Sequence, residues 1–138
     1  MSSVTLSDVV VIDTNVISYI FKRDTRGELY KPHVEGRLTM IAAQTFAELE
    51  VMPLKNNWGS KRYIALHAYL KKFVFVEANE EISLLWAKVQ VDAHRAGHPI
   101  SFGDSWIAAT ALAYDAPLVT HNRKDFENVQ GLIVISES

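Results

Sequence analysis

The chain has 138 residues, no cysteine and a formal net charge of −2, with 49% of its residues apolar and 22% charged. That length predicts one domain, residues 1–138, able to bury a core without staples. The missing cysteines exclude disulfides, thiolate metal sites and thiol nucleophiles. The slight acidity argues against a nucleic-acid coat or nonspecific DNA binder, but not against a nuclease whose clustered acids are offset by bound cations.

Segment 1–8 is polar and short, and the first apolar run ends in a charge after four residues. No apolar stretch nears the roughly 20 residues of a membrane helix. A soluble cytoplasmic protein with no membrane contact is expected.

The first element is the apolar run Val9-Val10-Val11-Ile12, which suits a central parallel strand covered on both faces. It runs into Asp13, and a short helix over 15–21 follows, with Val16, Ile17, Ile20 and Phe21 inward. Charge and glycine over 22–27 break that helix. A second helix is predicted over 28–36, with Pro32 unfavourable to its first turn. Residues 38–42 form a second strand and 44–51 a helix ended by Pro53, held to the core by Phe46, Leu49 and Val51.

A loop at 56–60 precedes a helix over 61–73, whose Tyr63, Ile64, Leu66, Tyr69, Leu70 and Phe73 recur at helical spacing. Residues 74–76 make a third strand. The helix over 83–96 packs through Leu84, Leu85, Ala87, Val89 and Val91, and Gly97 ends it. An alanine-rich helix over 105–114 packs through Trp106, Ile107, Ala111 and Leu112; strands at 118–119 and 132–135 follow. Strands alternating with helices predict an α/β fold, a three-layer α/β/α sandwich around a mostly parallel sheet of about five strands.

Polar positions then fall at the carboxyl edge of that sheet, where open α/β sheets bind ligands. Asp13 ends the first strand and serves either as a helix N-cap or as a site residue. Glu48, between Ala47 and Leu49, faces a partly desolvated groove or is an ordinary surface acid; Glu50 points away into solvent. Asp104 forms a capping-box pattern with Ser101, which does not compete with metal binding. Asn122 and Asp125 follow the fourth strand, as a turn or as part of the same crevice.

Carboxylates in one cleft repel and raise each other's pKa. Magnesium or manganese removes that repulsion, taking oxygen ligands, often one or two carboxylates with water and substrate phosphate. Such a site activates water for attack on phosphorus. No pair among His33, His67, His94, His98 and His121 has metal-ligand spacing, so these are expected on the surface or in structural roles. Trp86 and Trp106 are expected to pack, and Trp58 to stack on a base or meet a second copy.

Four stretches together resemble a known family. They are Val11-Ile12-Asp13-Thr14-Asn15-Val16, Thr45-Phe46-Ala47-Glu48-Leu49, Gly103-Asp104-Ser105-Trp106-Ile107-Ala108-Ala109-Thr110-Ala111 and Leu118-Val119-Thr120-His121-Asn122-Arg123-Lys124-Asp125-Phe126. In order and spacing the chain resembles the PIN-domain ribonucleases and, within them, the VapC-like toxins of bacterial toxin–antitoxin pairs.

The resemblance implies a Mg2+- or Mn2+-dependent endoribonuclease that hydrolyses RNA phosphodiesters, tRNA among the candidates, to inhibit translation. It implies Asp13, Glu48 and Asp104 as the acidic core. Asn122 and Asp125 share the family's fourth position, where many relatives carry an aspartate at the place of Asn122. Asp125 joins the first three as a metal ligand, and Thr14 and Thr120 are implied as hydroxyls that orient the cation's waters. It further implies a homodimer and a small cognate antitoxin whose arginine enters the acid cluster. Arg23, Arg26, Lys55, Lys61, Arg62, Arg123 and Lys124 are candidates for RNA phosphate contacts, or are ordinary surface charges.

Two other α/β classes place acids at a first strand. A haloacid-dehalogenase-type phosphatase needs an acid two residues after Asp13, where this chain has Asn15, losing the general acid. A response-regulator receiver needs adjacent acids there and a lysine after a late strand, where Thr14-Asn15 and Thr120-His121 stand. A non-catalytic interaction module is the third reading, and predicts that Asp13→Ala and Asp104→Ala leave RNA cleavage unchanged.

Overall fold

The computed structural model describes residues 8–138, so the polar start read over residues 1–7 lies outside the described residues. The elements run β1 (Val9–Ile12), α1 (Thr14–Phe21), α2 (Thr25–Val34), β2 (Leu38–Ala42), α3 (Ala43–Lys55), α4 (Ser60–Leu70), β3 (Val74–Val76), α5 (Glu80–Arg95), α6 (Phe102–Ala113), β4 (Leu118–Val119), α7 (Arg123–Phe126) and β5 (Val134–Ile135).

The strands form one sheet in the order β3-β2-β1-β4-β5, and every pairing is parallel. β1 is central, with Val11 opposite both Met40 and Leu118. From β1 the chain winds outward through β2 and β3, then returns to place β4 on the other side. The winding direction therefore reverses between β1 and β4, and that reversal opens a crevice at their carboxyl ends.

Alternation along β1 assigns the two faces. Val10 and Ile12 pack with Val16 and Ile17 of α1, Tyr30 of α2, Leu49 of α3, and Leu66 and Leu70 of α4. Val11 packs on the opposite side with Ile82 of α5 and Ile107, Ala108 and Ala111 of α6. Val10, Val11 and Ile12 are fully buried, each worth about 1.5–3 kcal/mol. The expected α/β/α sandwich is thus observed, with the sheet wholly parallel.

Local differences from the sequence reading have physical causes. α2 starts at Thr25, because Asp24 caps it by accepting the Arg26 N–H at 2.9 Å. Gly27 is therefore no breaker. It lies where α1 crosses α2, and a Cβ there would sit 2.9 Å from the Ile20 backbone. Pro53 does not end α3, which continues to Lys55, and Pro32 falls in the last turn of α2. So near a C-terminus each proline removes one ladder hydrogen bond and leaves little helix to disrupt.

Six residues expected in the core are exposed: Val51 (52%), Ile64 (65%) and Leu84 (67%), with Tyr63, Ala87 and Val91. Leu84 and Val91 are two residues beyond the buried Ile82 and Val89, so they point to the other side of α5. The strand expected over 132–135 is confined to Val134–Ile135. Trp58 packs within its own chain, stacked on Phe21 and covered by Arg62 at 3.8 Å. Glu50 is not a free acid, since it pairs with His67 and accepts from the Tyr63 hydroxyl. Trp86 and Trp106 do pack, stacked at 5.3 Å.

Candidate active site

Asp13 leaves β1 at the reversal point and is 4% exposed. Its Oδ1 accepts the Thr14 N–H at 2.7 Å, capping α1, while its Oδ2 accepts the Thr120 hydroxyl, also at 2.7 Å. The capping and site readings of Asp13 are thus compatible, since one oxygen serves each. Thr120 follows β4, is fully buried, and accepts the Asn122 N–H at 3.0 Å.

Glu48, half-buried on α3, reaches the same edge. Its Oε1 accepts the Thr14 hydroxyl at 2.5 Å and its Oε2 the Gln44 amide at 3.0 Å. Leu49 beside it is buried as expected, but Ala47 is exposed. Thr14 therefore links the two acids, by its backbone to Asp13 and by its hydroxyl to Glu48. Gly103 keeps the space before Glu48 open, because a Cβ would stand 3.3 Å from Glu48 Oε2 and 3.0 Å from Gln44 Nε2.

Asp104 enters on the first turn of α6, whose N-cap Ser101 accepts the Asp104 N–H at 3.1 Å. The expected capping pattern is present, although α6 begins at Phe102 rather than 105. Asn122 and Asp125 are exposed at the rim, joined by the Asp125 N–H donating to the Asn122 carbonyl at 3.0 Å. Asn122 caps α7 without a side-chain hydrogen bond.

The charges interact. Burial pushes the Asp13 carboxyl up to about 6, and Asp104 and Glu48 add to the rise against the opposing hydrogen bonds from Thr120 and Thr14. Burial likewise raises Asp104, with Asp125 and Glu48 contributing. Asp13 thus feels the charges of Asp104 and Glu48, and Asp104 those of Asp125 and Glu48. Among the described residues no three His, Asp or Glu side chains converge as placed to hold a metal ion. Both oxygens of Asp13 and both of Glu48 instead hold neutral donors. The donor chemistry suits a hard cation, which needs only one or two carboxylates beside water.

Sequence reading missed a support around the last loop. Asn15 Oδ1 accepts the His121 N–H at 3.3 Å, while the His121 ring meets the Tyr30 hydroxyl through Nδ1 at 2.5 Å. The Tyr30 hydroxyl in turn accepts the Glu137 N–H at 2.9 Å. Asn15 is occupied as a tether between α1 and the segment after β4, which disfavours a phosphatase role at that position. Gln44 was also missed, though its place one helical turn before Glu48 was a readable signal. Tyr30 is 91 residues from His121, and no local pattern announces that contact.

A comparison with protein families matches residues 10–132 to the PIN domain. The chain belongs to the PIN-domain family. This PIN domain is 29% identical over 130 residues to Ribonuclease VapC1 of Haemophilus influenzae strain R2866, covering 90% of this chain and 94% of that protein. Among solved structures, VapBC-1 of nontypeable Haemophilus influenzae matches with a TM-score of 0.81 and 27% identity, over 93% of this chain and 97% of that one. VapBC2 of Rickettsia felis, bound to a promoter DNA fragment, has a TM-score of 0.83 at 20% identity, over 94% and 99% of the two chains, and shows the shared fold.

Proposed function

We propose that this PIN domain is a divalent-metal-dependent endoribonuclease, acting as the toxin of a VapBC-type toxin–antitoxin pair in the cytoplasm, with residues 1–138 as its single domain. The observation that carries the reading is Asp13. A buried carboxylate, raised to about 6 and facing two further acids at the sheet's reversal point, is an unfavourable arrangement for structure alone. An N-cap needs neither the burial nor the neighbours. The relatives named ribonucleases support the same activity.

Asp13, Glu48, Asp104 and Asp125 are the residues that would hold Mg2+ or Mn2+, with Asn122 at the rim. Such an ion, when bound, neutralises the acids and acidifies a water for attack on phosphorus. The chain's own residues supply position. Thr120 and the Thr14 N–H fix the two oxygens of Asp13, and Thr14 with Gln44 fixes those of Glu48. Lys124 stands beside Asp104 and Asp125 as a phosphate contact. Arg26 and Arg62 are weaker candidates, being engaged with Asp24 and Trp58.

A homodimer and an antitoxin partner are supported by exposed apolar side chains, Leu84 with Val91 on α5 and Val51 with Leu54 on α3. The solved relatives include toxin–antitoxin complexes. No helix among the described residues is long and apolar enough to cross a membrane.

The deciding experiment incubates purified, antitoxin-free protein with total cellular RNA, with and without Mg2+ or Mn2+, beside Asp13→Asn. Discrete metal-dependent cleavage lost in the variant is expected, and the fragments identify tRNA or another target. Cleavage that survives Asp13→Asn, or a folded wild type inert with both metals, would overturn the proposal.

A further inference from the structure

We propose that the cleft beside Asp104 seats one nucleotide of a single-stranded RNA next to the scissile phosphate, with Lys124 facing a phosphate and Asn128 reading the base. This rests on the ribonuclease reading and adds a recognition subsite to it.

The cleft has a volume of about 400 Å³ and runs from the Asp104–Asp125 rim along the start of α6. That size falls among small-ligand sites. Because the two acids are part of its lining, an occupant abuts the charged cluster. The other surfaces divide by chemistry. Ile100 supplies an apolar wall on which a base can lie, and His98 and Asn128 supply polar groups at its edge. Lys124 is in no ion pair among the described residues. It is free to meet an anion.

A purely acidic cleft would select a cationic side chain, such as a peptide arginine. A lysine, an amide and an apolar wall together suit a nucleotide, which carries an anion, a hydrogen-bonding edge and a flat face. Sequence-selective proteins bind splayed single-stranded bases through such surfaces, by stacking and by edge hydrogen bonds. Asn128 can donate and accept at once, which allows a bidentate contact to one base edge. The cleft therefore predicts a base preference at one position beside the cut.

The test titrates 15N-labelled full-length protein with AMP, CMP, GMP and UMP in turn, and with inorganic phosphate, reading by NMR the backbone amides of residues 124–129, which persist in every variant. The expected result is a shift in these amides with one nucleotide preferred, its binding weakened about tenfold in Asn128→Ala and also in Lys124→Ala. Equal shifts with phosphate alone, or nucleotide binding unchanged in both variants, would overturn the inference. RNA cleavage by the same preparation separates the two claims. Cleavage with a silent cleft removes the subsite and keeps the ribonuclease. Nucleotide binding at Asn128 without wild-type cleavage removes the ribonuclease and keeps the subsite.

Discussion

The acids of the site divide into two pairs held in different ways. Asp13 and Glu48 have all four carboxylate oxygens engaged by donors from α1, α3 and the segment after β4. Asp104 and Asp125 both line the cleft, Asp104 half-buried and Asp125 exposed. The first pair is built before any ligand arrives, and its geometry is set by the buried Thr120 and the half-buried Thr14 and Gln44. The second is held more loosely, Asp104 by the Ser101 hydroxyl and Asp125 out at the rim. A site divided in this way keeps one fixed anchor and one face that adapts to a substrate.

The largest test of that division compares the pairs directly. Asp13→Asn should lower RNA cleavage by about 10³-fold or more, equivalent to roughly 4 kcal/mol at the transition state. Asp125→Asn should cost about tenfold, because an exposed acid is the easier one to replace by water. Initial rates at saturating metal measure both. Equal losses would show that the rim is as fixed as the anchor.

Thr120→Val attacks the anchor without touching a carboxylate. It removes the donor to Asp13 Oδ2 and the acceptor of the Asn122 N–H, in a fully buried position. Activity should fall about 10–100-fold, as for other groups that orient metal ligands. Thermal unfolding should show a loss of about 1–3 kcal/mol. Thr120→Ser, which keeps the hydroxyl, should recover most of the activity.

The same burial makes stability depend on pH in an unusual direction. The folded Asp13 pKa is about 6 against an ordinary 3.8, so the folded state binds this proton more tightly than the unfolded one. Its contribution is fully present below pH 3.8 and is lost as pH rises through about 6. The full effect is at most about 3 kcal/mol. Other carboxylates pull the opposite way, so the clean quantity is the difference between wild type and Asp13→Asn. In urea titrations with chelator, the variant should gain on wild type between pH 4.5 and 7.5. Added Mg2+ should shrink that gain, by stabilising only the protein that keeps the charge.

Much of this site was legible because short-range rules set it. The run Val9–Ile12 required a two-sided strand, and its end required Asp13 at a sheet edge. Ser101 and Asp104 announced their own cap. What was not legible depends on distant partners. The fold hides one apolar stripe of α5 and leaves Leu84 and Val91 outside, a choice that periodicity alone cannot make. Gly27 read as a breaker because its reason is the backbone of Ile20, in another helix. The Tyr30–His121 support joins elements on either side of most of the chain.

The smallest expected effect tests how much room the anchor needs. Gly103→Ala should stabilise α6 slightly, since alanine exceeds glycine in helix propensity by up to about 1 kcal/mol. The added methyl meets the Gln44 amide at 3.0 Å and Glu48 Oε2 at 3.3 Å, both ends of side chains that can shift. A shift of Glu48 lengthens its contact with the Thr14 hydroxyl and narrows the space for a cation. Cleavage should therefore fall a few-fold while thermal stability holds or rises, and the loss should be partly reversed at higher Mg2+, with the apparent metal affinity as the readout. A stability loss with metal affinity unchanged would mean that Gly103 serves helix packing alone, and that the anchor is set by Thr14 and Thr120 without it.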